Sequence, residues 1–89
     1  MAYKIIYRLY TENRNKRHIL RLTAKQFENF TVQPTLGYYR GKSERSIVIE
    51  IVGAAARDVK ALARMIGSMN GQKSVLLLKI RGQAETTRT

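Results

Sequence analysis

From Tyr3 to Tyr10 the side chains alternate, with Ile5, Tyr7 and Leu9 on one side and Lys4, Ile6, Arg8 and Tyr10 on the other. A period of two over this length is the signature of a half-buried strand. The stretch Thr11–Lys16 is polar, and Asn13 or Asn15 is placed to cap a helix whose apolar positions Ile19, Leu20, Leu22 and Phe27 roughly keep helical spacing. Thr23 followed three residues later by Gln26 offers an alternative capping box, which would divide this segment into two short turns. Pro34 and Gly37 then mark Thr31–Tyr39 as a sheet edge or a bulge, because proline has no amide proton to give to a ladder. Arg40-Gly41-Lys42-Ser43-Glu44 has turn chemistry and leads into Arg45–Val52. There Ile47, Ile49 and Ile51 form one face and Ser46, Val48, Glu50 and Val52 the other, which completes a hairpin.

Gly53 breaks that strand. Ala55, Val59, Leu62, Ala63 and Ile66 next recur at helical spacing, with Arg57, Lys60 and Arg64 on other positions, and Asn70-Gly71 supplies a stop whose residues tolerate left-handed dihedrals. Lys73–Ile80 reads as a final strand, and 82–89 as a loose tail with few apolar side chains. The order strand, helix, strand, strand, helix, strand predicts an α+β, ferredoxin-like βαββαβ domain over 1–81, a four-stranded antiparallel sheet with two helices on one face.

The runs Phe27-x-x-Phe30-Thr31-Val32, Gly37-Tyr38-Tyr39-Arg40-Gly41, Glu44-x-Ser46-x-Val48-Ile49-Glu50-Ile51 and Asn70-Gly71-Gln72-Lys73-Ser74-Val75-Leu76 occur in that order across most of residues 3–80. This pattern resembles a family of small uncharacterised bacterial and phage proteins. The resemblance implies a ferredoxin-like domain and an origin in a phage or mobile element. It brings no established activity and no functional residue.

A chain of 89 residues with 44% apolar side chains has one core's worth of material, and burial of roughly 60% of its unfolded surface is expected at this size. Cysteine is absent and His18 is the single histidine, so neither a disulfide framework nor a thiolate or imidazole metal site is expected, and no cofactor is implied. Met1–Tyr10 alternates and carries two charges, unlike a signal peptide, and no run approaches the roughly 20 apolar residues of a spanning helix. A cytoplasmic protein without a membrane partner is expected. Seventeen Lys and Arg against six Asp and Glu give a formal charge of +11, which points to an anionic counterpart.

Catalysis finds little support at this level. Glu12, Glu28, Glu44, Glu50, Asp58 and Glu85 are scattered, His18 lies among Lys16, Arg17 and Arg21, and neither a Walker-type phosphate loop nor a dinucleotide glycine fingerprint is present. The expectation is a protein that is not an enzyme. The predicted topology, with sheet order 4-1-3-2, brings the first strand–helix loop, the central hairpin and the second helix–strand loop to one end. Arg14, Lys16, Arg17, Arg40, Lys42, Arg45 and Lys73 would gather there with the free N–H groups of the first helix as a phosphate-binding surface, Glu44 being the one acid in those loops. The plainer account is that charged residues populate exposed loops. Tyr10, Tyr38 and Tyr39 offer faces on which a base can stack, although strand tyrosines are common and one of an adjacent pair usually turns inward. The aromatic signature of RNA-recognition sheets is missing from Arg45–Val52.

If the isoleucines of the third strand face the helices, then Ile6, Val48, Val52, Val75 and Leu77 face outward, among Lys4, Arg8, Glu50, Lys73 and Lys79. An apolar patch with a charged rim predicts a homodimer through the open sheet faces. Were the last strand turned over, Leu76 and Leu78 would take the outward places. These features together predict a homodimer whose basic loops bind the phosphates of a nucleic acid or a nucleotide signal, as a phage or mobile-element counter-defence factor. The alternative is an interaction module that docks on an acidic host protein or a nucleoprotein complex.

Overall fold

In the computed structural model, which describes residues 2–85 and 87, the elements follow as β1 (Ala2–Glu12), α1 (Lys16–Gln26), β2 (Thr31–Tyr39), β3 (Lys42–Val52), α2 (Ala56–Asn70) and β4 (Leu76–Ala84). The strands form one antiparallel sheet in the order β2-β3-β1-β4. Among the described residues no helix is long and apolar enough to cross a membrane.

Burial on one sheet face explains the arrangement. Tyr7 stands opposite Ile51, Leu9 opposite Ile49 and Thr11 opposite Ile47. Directly opposed residues share a face, so these side chains form a continuous surface, and Ile19 of α1 with Val59, Leu62 and Ile66 of α2 close over it. Pro34 sits in β2, the edge strand, where its missing N–H costs no ladder bond to a further strand. Arg40 and Gly41, at φ 50° and 78°, make the two-residue connection from β2 to β3, the positive-φ pair that matches hairpin twist. The turn is therefore tighter than the five-residue segment expected from composition, and β3 begins already at Lys42.

α1 is continuous, with no break at Thr23. That residue is buried inside the helix, and its hydroxyl donates to the Ile19 carbonyl at 2.8 Å, which satisfies the hydroxyl without a capping box. Asn15 precedes the helix in a left-handed conformation and makes no side-chain cap. α2 ends with Gly71 at φ 66°, the Gly71 N–H donating to the Ser68 carbonyl and the Gln72 N–H to the Gly67 carbonyl at 2.8 Å. This is the glycine-terminated stop anticipated from Asn70-Gly71.

β4 corrects the sequence-based expectation in two respects. It starts at Leu76 and runs to Ala84, so residues 82–84 are strand and not tail, while 86, 88 and 89 lie outside the described residues. The physical reason is that β1 begins at Ala2, and its first residues take backbone partners from Gly82 to Ala84 whatever the side chains there. The register also pairs Leu9 with Leu77 and Tyr7 with Lys79, which puts Leu77 and Lys79 on the helix side; Val75 precedes the strand and packs on the core. Val75 and Leu77 are thus not on the open face. Leu76, Leu78 and Ile80, opposite Tyr10, Arg8 and Ile6, take that place.

β2 and β3 are paired beyond the end of β1. Glu12 is opposite Ser46, but the β2–β3 ladder continues from Leu36–Arg45 to Tyr39–Lys42. At the rise of an antiparallel strand the hairpin tip overhangs the sheet by about 15 Å.

Ile49 is fully buried at the centre of the sheet. Ile49→Ala should cost about 2–5 kcal/mol, measured as a lower denaturant midpoint with an unchanged slope.

Candidate functional site

The loop after β1 and the loop after α2 meet at one end of the sheet, joined by polar side chains. Thr11 Oγ1 donates to Gln72 Oε1 at 2.6 Å, Asn70 Nδ2 donates to the same oxygen at 3.1 Å, and Asn15 Nδ2 donates to Asn70 Oδ1 at 3.0 Å. Thr11 and Asn70 are buried, and each finds its partner within this cluster. Asn70, read from sequence only as a helix stop, therefore also clamps the two loops together. Only the fold reveals this role, because Asn15 and Asn70 are far apart in the chain.

The clamp holds the start of α1 in a fixed position. The first intrahelical bond runs from the Ile19 N–H to the Asn15 carbonyl at 3.0 Å, so the N–H groups of Lys16, Arg17 and His18 have no partner within the helix. No acidic residue occupies the first turn. Lys16, Arg17 and Lys73 are exposed around this end, and Arg45 joins them through the bond from the Asn13 N–H to its carbonyl at 3.2 Å. Arg14 is also here, ion-paired with Glu12, and that carboxylate offsets part of the local charge. Contrary to the expectation from sequence, Glu44 is therefore not the one acid in these segments, and Glu12 is a second.

Arg40 and Lys42 stand apart from these five residues. They flank the turn at the tip of the overhanging hairpin, about 10 Å or more along the strand from Arg45. Tyr38 and Tyr39 are 72% and 67% exposed, so neither turns inward, because the overhang has no helix beneath it. The Arg40 guanidinium lies 5.3 Å from the centroid of the Tyr39 ring, within cation–π range. Tyr10 is in neither group; it is half-buried on the open sheet face.

That face has two unlike halves. Ile6 and Val52 join Leu76, Leu78 and Ile80 in an apolar strip toward β4, with Leu76 58% and Val52 45% exposed. Toward β2 the surface is polar and dips into a cleft of about 260 Å³. Arg8 Nε bonds Glu50 Oε2 at 2.7 Å between directly opposed positions of β1 and β3. That hydrogen bond is the main cause holding the Arg8 guanidinium pKa above its ordinary value. Thr31 and Gln33 of β2 flank the pair, and Val48 forms the floor, only 8% exposed although no helix covers it. Sequence reasoning placed Arg8 and Glu50 on this face as rim charges; their pairing depends on the strand register.

No protein-family model and no curated protein matches the sequence. Solved structures share its fold. A DUF3240 family protein from Shewanella baltica is similar over 100% of both chains, with a TM-score of 0.71 at 16% identity. CPII, a nitrogen regulatory PII-like protein from Thiomonas intermedia bound to ADP, AMP and bicarbonate, is similar over 98% of each chain, with a TM-score of 0.66 at 12% identity. The architecture is ferredoxin-like. A phage SAM lyase in complex with S-methyl-5′-thioadenosine matches 96% of this chain and 93% of its own, with a TM-score of 0.55 at 16% identity.

The lyase corrects the expectation that this chain is not an enzyme. A catalyst stands on the same frame, and scattered acids with a lone histidine in sequence do not exclude catalysis, since a fold does not dictate function.

Removing the clamp should loosen both loops. Asn70→Ala leaves the Asn15 and Gln72 side chains short of a partner and should cost about 1–3 kcal/mol. Chemical denaturation would measure the loss, and hydrogen exchange should quicken at residues 13–16 and 71–74.

Proposed function

We propose that the protein binds a nucleotide, taking its phosphates at the end where α1 begins, and that it acts as a homodimer joined through the apolar strip of the open sheet face. The observation that carries this reading is the first turn of α1. Unpartnered N–H groups, Lys16 and Arg17 converge there with no acid, and Lys73 and Arg45 stand on the adjoining loops. A helix N-terminus carries partial positive charge, and adding cations to it is unfavourable until an anion arrives. The clamp through Asn70 supports the reading because it orders this end in advance, which lowers the entropy lost on binding.

Two proteins of the same fold bind adenosine derivatives: the PII-like protein holds ADP and AMP, and the lyase S-methyl-5′-thioadenosine. Their identity to this chain is low, so they support a nucleotide as ligand class without assigning its contacts. A second reading, nucleic acid, is favoured by the hairpin tip, where exposed Tyr38 and Tyr39 adjoin Arg40 and Lys42. Stacking faces beside cations suit a single strand.

The readings separate by titration. For a nucleotide, Lys16→Ser with Arg17→Ser should weaken ADP binding by about tenfold or more in calorimetry, the loss of about 1.4 kcal/mol of charge-assisted contact. Arg40→Ser with Lys42→Ser, and Arg57→Ser with Lys60→Ser at the start of α2, should leave it unchanged. For nucleic acid, the hairpin pair should matter most, and affinity for an oligonucleotide should fall steeply with salt. Equal losses from every pair would reduce both readings to diffuse charge attraction.

The dimer has its own test. Leu76→Lys with Leu78→Lys should convert a dimer to a monomer in sedimentation equilibrium without unfolding it, since neither side chain is in the core. A wild-type protein that sediments as a monomer at high concentration removes the claim.

A further inference from the structure

The polar cleft on the open face is chemically distinct from the basic end. Arg8 and Glu50 neutralise each other across the 2.7 Å contact, so the cleft offers no net charge to a phosphate, and the Glu50 carboxylate repels one. Its volume of about 260 Å³ lies just below the range for drug-sized ligands and suits a single ring system. Val48 supplies an apolar floor and Tyr10 an aromatic wall.

We infer that this cleft is a nucleobase subsite that takes adenine through its amino-bearing edge. The inference rests on the nucleotide reading and adds to it the part of the ligand that the basic end does not recognise.

The hydrogen-bonding groups left open make the case. Among the described residues, Glu50 Oε1, the Gln33 amide and the Thr31 hydroxyl have no hydrogen-bond partner, and all three residues line the cleft. An ionised carboxylate only accepts, so the ligand atom that meets Glu50 must donate a proton. A side-chain amide presents a donor and an acceptor side by side, the complement of the adenine amino group and its neighbouring ring nitrogen. The ion pair holds Glu50 in orientation before any ligand arrives: one oxygen is fixed by Arg8, and the other has no partner in the protein. Thr35 lines the cleft in the row shared with Ser46 and Glu12, the last row before the basic end. The cleft thus runs from Glu50 along β3 toward that end, the course that the sugar and phosphates of a bound nucleotide would follow.

Adenosine, inosine and pyrophosphate, titrated separately into the full chain by calorimetry, test the two sites apart. Adenosine should bind and inosine, whose carbonyl oxygen stands where adenine has its amino group, should bind about tenfold more weakly or worse, because an acceptor then faces the carboxylate. Glu50→Gln preserves side-chain volume and an acceptor for Arg8, and Gln33→Ala lies on the exposed edge strand; circular dichroism confirms that both are folded. Each should weaken adenosine by about tenfold, a loss near 1.4 kcal/mol, and leave pyrophosphate unchanged. Lys16→Ser with Arg17→Ser should do the reverse. Failure of adenosine to bind, equal binding of inosine, or indifference of adenosine to both cleft variants overturns the subsite, even where pyrophosphate still binds. Failure of pyrophosphate alone overturns the phosphate site and, with adenosine retained, leaves the cleft standing.

Discussion

Leu9 stands opposite Ile49 in the β1–β3 ladder, and both are wholly buried beneath the helices. Because side chains alternate along a strand, this one pairing assigns the other residues of the sheet to a face. A slip of a single residue in either strand would break up the buried surface of Tyr7, Leu9, Ile47, Ile49 and Ile51. If both central strands turned over, Arg8 and Glu50 would lie beneath α1 and α2, where taking two ionised groups from water costs several kcal/mol each. The apolar strip, the polar cleft and the length of hairpin left over beyond β1 all follow from that register.

Electrostatics contributes little to holding this frame together. Of the six acidic residues, Glu12, Glu50 and Asp58 lie within ion-pair distance of an arginine, and those contacts are exposed enough to be worth little. The fold rests on the apolar core and on buried polar groups that are satisfied, none being left without a partner among the described residues. The surplus of basic side chains is therefore charge that folding does not consume. It remains exposed on both helices as well as at the ends and edges of the sheet, available to a partner.

Most of the fold was legible because its strongest signals are local. The alternation in β1 and β3, the helical spacing of α2, Pro34 on an edge strand and Gly71 at a helix end each carry a physical reason within a few residues. β4 was less legible. Leu76, Leu77 and Leu78 are all apolar, so the run has no parity of its own, and only pairing with β1 decides which face each takes. The extension to Ala84 was hidden for the same reason, since a backbone ladder needs no apolar side chain. At the candidate site, the bases around the start of α1 were visible as a charge excess, whereas the separation of Arg40 and Lys42 from them depends on how far β3 outruns β1. The clamp and the Arg8–Glu50 pair were out of reach of sequence, because each joins residues more than forty positions apart.

The clamp also bears on how such a protein changes over generations. Thr11, Asn15, Asn70 and Gln72 brace the two loops, while Lys16 and Arg17 at the start of α1 and Lys73 after α2 are exposed beside them and take no part in the bracing. Substitutions among the exposed residues leave the scaffold intact, so selection can retune what is bound there without first having to repair the fold. The bracing four have less freedom, since losing Asn15, Asn70 or Gln72 strands a neighbour's polar group and losing Thr11 leaves Gln72 one bond short. Drift should therefore be fast on the rim and slow on the brace, and descendants with different ligands would share the brace long after their rims had ceased to look alike.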